Sequence, residues 1–372
     1  MIYLDNAATS YPKPKRVINA LIRSFRDAPG NPGRSSHKFS VAAAEAIYST
    51  RESVADFLNC KSAEGVVFTY NATYSLNMAI KTYIEDGSHV ITSDIEHNSV
   101  IRPLEKLVAE RNVSYSIFST DNDLEKEIEA MIRKDTKAII STIASNVTGE
   151  RISLELLSRI SKKYGLILIV DASQAIGHYR LDLEKTPCDV LCAPAHKALF
   201  GIQGAGFAVF SDAERRKSWI EGGSGTESAS KEMPIYLPEG YEAGTLGTPA
   251  ICALSSGIDY VRNFGIDRIE ERLSYLTERL AERLFDLDDI TVHSYGNGIV
   301  LFNYKDFPSS KTAAILDDVG IFVRSGLHCA LSAHKKLGTD YRGAIRASLS
   351  VLNTEREIDK LYKTLKEISV FY

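Results

Sequence analysis

Seven short runs rich in β-branched and aliphatic residues constrain this chain most. They lie at 66–70, 89–93, 113–118, 138–144, 166–170, 190–193 and 206–210, and helical patterns at 74–85, 98–111, 123–133 and 154–164 separate most of them. Such alternation predicts an α/β fold with a mostly parallel sheet covered by helices on both faces. In such a sheet, ligands collect beyond the carboxyl ends of the strands. After residue 230 the pattern changes to a long helical region at about 250–286, strands at 299–302 and 319–323, and a closing helix. Thr354 and Glu357 stand in capping-box spacing at the start of that helix, and Ile358, Leu361, Tyr362 and Leu365 form its inner face. The chain therefore reads as a large domain at 14–255 and a smaller α+β domain made of 1–13 and 256–372.

Composition excludes several function classes. The 44 basic and 48 acidic residues give a net charge of -4 with no long block of either sign, which argues against nucleic acid as a partner. No apolar stretch reaches the roughly 18 residues of a membrane span. The start, Met1-Ile-Tyr-Leu-Asp5-Asn6, has neither the basic nor the apolar part of a signal peptide. Five scattered cysteines form no disulfide framework and fit a reducing cytoplasm.

The chemistry gathers at strand ends. The apolar run at 165–170 stops at Asp171, with Gln174 three residues on, and the strand-like run at 190–193 leads to His196-Lys197. An acid beyond one strand and a lysine beyond the next suggest a pyridoxal phosphate site, the lysine as covalent anchor and the acid as partner of the ring nitrogen. The anchoring role needs a depressed lysine pKa, because only the neutral amine attacks a carbonyl. Ala72 and Thr73 open a helix after a strand, where free backbone N–H groups and the helix dipole can seat a phosphate. His97 follows another strand and can lie on a ring or act as a loop residue. A dinucleotide site is disfavoured, since Gly201-Ile-Gln-Gly204-Ala-Gly206 has the wrong spacing and precedes a strand; the Walker pattern is absent too. Cys329, beside His328 and near Arg324, is either a reactive thiol or a small buried hydrophobe. A metal site on His328, Cys329 and His334 lacks a fourth ligand at recognisable spacing, so no metal is expected.

Taken in order, these segments resemble the cysteine desulfurase and selenocysteine lyase family, the NifS/SufS-like branch of the class V aminotransferase superfamily. The resemblance runs from Tyr3-Leu-Asp-Asn6-Ala-Ala-Thr9 and Asn31-Pro-Gly-Arg-Ser-Ser-His37 through Phe68-Thr-Tyr-Asn-Ala-Thr73, Glu96-His97-Asn98 and Ser145-Asn146-Val-Thr-Gly149. It continues with Asp171-Ala-Ser-Gln174, His196-Lys197, Glu242-Ala-Gly-Thr245, Arg324-Ser-Gly-Leu-His-Cys329-Ala and Gly343-Ala-Ile-Arg346-Ala-Ser348. Pro194 departs from the pattern, standing where many relatives place a serine before the His-Lys pair.

The resemblance implies a pyridoxal-phosphate-dependent transferase of fold type I with a seven-stranded, mostly parallel sheet. It implies that Lys197 anchors the cofactor, Asp171 pairs with its ring nitrogen, Gln174 reaches the ring hydroxyl and His97 stacks on the ring. Ala72, Thr73 and His196 would hold the phosphate, with Thr245 reaching the phosphate of a neighbouring subunit, so a homodimer is implied. Asn146, which also borders the cofactor, would join Arg346, Arg324 and His37 at the substrate. Lys197, His97 and Cys329 would be the catalytic set, Cys329 taking sulfur from L-cysteine as a persulfide. Alanine is then the product, and a thiol acceptor protein receives the sulfur for iron–sulfur cluster assembly, tRNA thiolation or general supply. L-selenocysteine as substrate, a plain class V aminotransferase, and a sulfur-carrying or scaffold protein without cofactor are the competing expectations.

Overall fold

A computed structural model describes residues 1–33, 35–211 and 218–371, with the side chains of 369–371 outside the description; Arg34, within one of the motifs quoted above, also lies outside it. The first half runs β1 (Ile2–Tyr3), α1 (Lys15–Asp27), α2 (Lys38–Leu58), β2 (Val66–Thr69), α3 (Ala72–Tyr83), β3 (His89–Ser93), α4 (Asn98–Arg111), β4 (Ser114–Phe118), α5 (Leu124–Met131), β5 (Thr136–Thr142), α6 (Leu154–Tyr164), β6 (Ile167–Asp171), β7 (Val190–Pro194) and β8 (Gly206–Phe210). The second half runs α7 (Thr248–Phe264), α8 (Ile266–Phe285), β9 (Ile290–Gly296), β10 (Ile299–Tyr304), α9 (Ser309–Asp318), β11 (Ile321–Phe322), β12 (Arg324–Gly326), α10 (Leu331–Lys336), β13 (Ala344–Ser348) and α11 (Glu355–Phe371).

Among the described residues, seven strands form the main sheet in the order β2-β8-β7-β6-β5-β3-β4. Strand β8 runs antiparallel to β2 and β7, whereas β7-β6-β5-β3-β4 are parallel. Alternate residues feed two separate cores: Ile139, Leu168, Leu191 and Phe207 face one layer, and Ile140, Ile169, Val190 and Ala208 the other. Burial on both faces explains why these strands are nearly continuous apolar runs.

A second, antiparallel sheet has the order β12-β13-β10-β9, and a short parallel pair joins β1 to β11. Helices α8 and α11 cover it, with Leu276, Leu280, Phe302, Ile345, Leu361 and Leu365 in one core. The capping box forms: the Thr354 N–H donates to Glu357 Oε2 at 2.7 Å, and the Glu357 N–H donates to Thr354 Oγ1 at 3.4 Å. The helical region at 250–286 divides into α7 and α8 at Gly265, whose φ of 94° a side chain would disfavour. Among the described residues no helix is long and apolar enough to cross a membrane.

Candidate active site

The parallel strands deliver their carboxyl ends to one edge of the sheet, and a cavity of about 220 Å³ opens there. Ten of the predicted residues line it: Ala72, Thr73, His97, Asn146, Asp171, Gln174, His196, Lys197, Arg324 and Arg346. Each of the first eight follows a strand of the main sheet, as ligand placement in open α/β sheets requires. The last two come from β12 and β13 of the small sheet, so the cavity lies between the two sheets.

The N-terminus of helix α3 borders the cavity through Asn71, Ala72 and Thr73. Asn71 caps it, its Oδ1 accepting from the Tyr74 N–H at 3.1 Å. Thr73 is no cap; its hydroxyl meets Ser99 Oγ at 2.8 Å. Gly206 of β8 lets this turn sit close to the sheet, since a Cβ there would come within 2.6 Å of the Asn71 backbone. His196 adds an imidazole whose buried Nδ1 has no hydrogen-bond partner. Burial, with Lys197 and Lys13 nearby, pushes this imidazole down to about 4.

His97, in the cavity wall, caps α4. Its Nδ1 accepts from the Ser99 N–H at 3.0 Å, which puts the ring proton on Nε2. Burial lowers its pKa to about 4, so the ring is neutral. Asp171 ends β6, buried, with Oδ1 accepting from the Ser173 N–H at 2.9 Å. Gln174 Nε2 donates to the Ala7 carbonyl at 2.9 Å.

Lys197 sits in a tight turn after β7. The Phe200 N–H donates to the Lys197 carbonyl at 2.9 Å, and the Gly201 N–H to the Ala195 carbonyl at 2.9 Å. Helix α7 presses on this turn through Gly257, where a Cβ would collide with the Leu199 carbonyl. Burial lowers the Lys197 amine to about 8; Asp171 opposes the shift, while Arg346 and Arg324 add to it. Lys13 supports the turn from outside, donating to the His196 carbonyl and to Ser10 Oγ at 2.8 Å each.

Arg346 is 1% exposed and already engaged. Its Nη1 donates to the Asn146 carbonyl at 2.9 Å and its Nη2 to Asp5 Oδ1 at 2.7 Å, while buried Nε has no partner. An incoming carboxylate must share this guanidinium with Asp5 or displace it. Asn146 Nδ2 donates to the His328 carbonyl at 2.8 Å, tying the cavity wall to the cysteine loop.

Three predicted residues lie outside the cavity lining. Cys329 is exposed, and Arg324 Nη2 approaches its Sγ at 3.7 Å, so one guanidinium reaches from the cavity to the thiol. His37 caps α2, its Nδ1 accepting from the Ser40 N–H at 3.3 Å. Thr245 is exposed, 3.3 Å from Asn31 Nδ2, in a segment held by the buried Arg51–Glu242 pair at 2.7 Å. Asp5, Lys13 and Ser99 are site residues that strand-end reasoning missed. Asp5 and Lys13 come from the first thirteen residues, and Ser99 reads as an ordinary first-turn helix residue.

The donor set fits pyridoxal phosphate. One cavity is lined by an imidazole nitrogen with no partner among the described residues, a helix N-terminus, a buried carboxylate, a neutral flat ring and an amine of lowered pKa.

The family model described as aminotransferase class-V matches residues 2–361. A "probable cysteine desulfurase" of Methanothermobacter thermautotrophicus is 33% identical, the match covering 99% of this chain and 94% of that protein. A cysteine desulfurase of Salmonella agona is 30% identical, covering 99% and 93%. Among solved structures, an apo cysteine desulfurase from Thermococcus onnurineus superimposes with a TM-score of 0.90 at 30% identity, covering 99% and 94%. A structure titled NIFS-like protein gives 0.87 at 26% identity, with both chains fully covered.

Proposed function

This chain belongs to the class-V aminotransferase family, whose members depend on pyridoxal phosphate, and we propose that it is a cysteine desulfurase. L-cysteine and the Cys329 thiol become L-alanine and a Cys329 persulfide: the substrate C–S bond breaks, an S–S bond forms, and the substrate carbon gains hydrogen. The observation that carries this reading is Arg324, which lines the lysine-bearing cavity and places a guanidinium nitrogen 3.7 Å from a free, exposed thiol. A plain aminotransferase has no use for that thiol.

When bound, the cofactor supplies an electron sink for charge developing at the substrate α-carbon. Ala72, Thr73 and His196 would hold its phosphate, Asp171 would partner its ring nitrogen and Gln174 its ring hydroxyl, and neutral His97 would lie against the ring. Lys197 Nζ would anchor the cofactor and would take the substrate α-proton, a task suited to an amine that burial lowers to about 8. Arg346 and Asn146 fix the substrate carboxylate, with Arg324 and His37 at the cavity mouth; this positioning turns sulfur transfer into a local event. Thr245 serves the phosphate of a second subunit, making the working enzyme a homodimer. The persulfide then passes to a thiol acceptor protein, as iron–sulfur cluster assembly requires, in a reducing compartment that suits five free cysteines.

Alanine formation by the purified holoenzyme tests the reading. Lys197→Ala should abolish it, and Cys329→Ser should keep the visible absorbance of the bound cofactor while lowering turnover of L-cysteine at least about a hundredfold. Undiminished turnover by Cys329→Ser would contradict the reading. Turnover of L-selenocysteine alone would reassign the enzyme.

A further inference from the structure

The loop that carries Cys329 needs support. His328 and Cys329 are consecutive non-glycine residues with φ of 49° and 58°. Left-handed backbone is disfavoured for residues that carry a side chain, so neighbouring contacts must hold the turn. Three come from the backbone and Asn146: the Ala330 N–H donates to the Leu327 carbonyl at 3.0 Å, the Asn98 N–H to the Cys329 carbonyl at 2.7 Å, and Asn146 Nδ2 to the His328 carbonyl.

The fourth is a relay of side chains. His328 Nε2 lies 3.2 Å from the Arg324 carbonyl, His328 Nδ1 lies 3.0 Å from His334 Nε2, and His334 Nδ1 lies 2.7 Å from Thr339 Oγ1. The two rings are within 15° of parallel with centroids 5.2 Å apart. With nitrogens 3.0 Å apart, this is the edge-to-edge arrangement of an N–H···N bond.

The direction of every proton follows. A carbonyl only accepts, so His328 Nε2 donates to it; in a neutral ring its Nδ1 then accepts. His334 Nε2 is therefore the donor, and its Nδ1 accepts from the Thr339 hydroxyl. All four ring nitrogens are satisfied although both rings are buried, which makes the relay rigid. Its far end is fixed as well: the Thr339 N–H donates to the His334 carbonyl at 2.9 Å, and the Gly343 N–H to the Thr339 carbonyl at 2.8 Å, just before the strand that bears Arg346.

We propose that His334 and Thr339 are positioning residues for Cys329, acting through His328 to keep the thiol beside the Arg324 guanidinium. The proposal deepens the desulfurase reading, because that thiol is the sulfur acceptor there. It also predicts the thiol's own behaviour, which does not depend on that reading.

The test uses the holoenzyme with His334→Leu, which removes the donor to His328, and His334→Gln, whose amide nitrogen can replace it. Thr339→Val weakens the relay from its far end and is the variant to read if His334→Leu does not fold. Two quantities are measured: the rate at which iodoacetamide alkylates Cys329, by peptide mass spectrometry, and kcat with KM for L-cysteine. His334→Leu should change the alkylation rate several-fold and lower kcat about tenfold with KM within about twofold; Thr339→Val should do the same to about threefold. His334→Gln should restore both quantities. Folded, cofactor-bound His334→Leu with both rates unchanged would overturn the proposal, and so would equal losses in the Leu and Gln variants. Altered alkylation in a protein that never turns over L-cysteine would uphold the relay and sink the desulfurase reading instead.

Discussion

Arg346 and Asp5, 341 residues apart in sequence, meet at 2.7 Å across the wall of the cavity. The arginine rides on β13 and the aspartate follows β1, so the pair fastens the N-terminal segment to the small sheet beside the cavity. The guanidinium is almost wholly buried and the carboxylate side chain 23% exposed. Removing one member of such a pair leaves an uncompensated charge, at about 3 kcal/mol or more. Asp5→Ala should lower stability in urea titrations by about that much, and Asp5→Asn, which also removes the charge but keeps an acceptor oxygen, by somewhat less. Equal, negligible losses would mean that the pair bears no load.

The Lys197 amine is held near 8 by burial. The neutral fraction therefore grows about tenfold per pH unit below 8 and levels off above it. The rate at which cofactor-free protein captures pyridoxal phosphate should follow that curve, monitored by visible absorbance. A rate still climbing steeply toward pH 10 would show that the amine keeps an ordinary lysine pKa.

Glu96, immediately before His97, is buried with Oε1 accepting from the Thr142 N–H at 2.8 Å and the Ser93 hydroxyl, while Oε2 has no partner. Burial raises this carboxyl to about 8. Its folded pKa exceeds the unfolded one, so its contribution to stability is complete below about 4.5 and fades as pH rises through 8. Glu96→Gln mimics the protonated form. It should match the parent protein near pH 4, gain an advantage that grows as pH rises from about 4.5 to 8, and keep that advantage at pH 9, in parallel urea titrations. A deficit at pH 9 would mean that the ionised carboxylate is the stabilising form.

The main sheet was legible because strands buried on both faces leave uninterrupted apolar runs, as at Ile167–Asp171. Strand β9 was not, since its Thr, His, Ser and Tyr residues are half-buried or exposed and mask any period. Strand β13 hides behind Arg346, a charged residue in a fully buried position. Helix α1 was obscured by the prolines before it and by its exposed Ile22 and Phe25. Residues at or just past main-sheet strand ends, such as Asp171 and Lys197, could be placed together at the cavity by position alone. Asp5 and the His328–His334 bond were not, because pairing across long separations or between two buried imidazoles leaves no periodic trace. His334 could be weighed only as a metal ligand, whereas in the fold it bonds to His328.

The most direct test is to mix the holoenzyme with L-cysteine in the absence of any acceptor and map the protein by peptide mass spectrometry. The account predicts one additional sulfur atom on the peptide containing Cys329, with alanine formed in equal amount, and no such peptide from Lys197→Ala. Alanine released while Cys329 stays unmodified, or sulfur found on Cys60, Cys188, Cys192 or Cys252 instead, would contradict it.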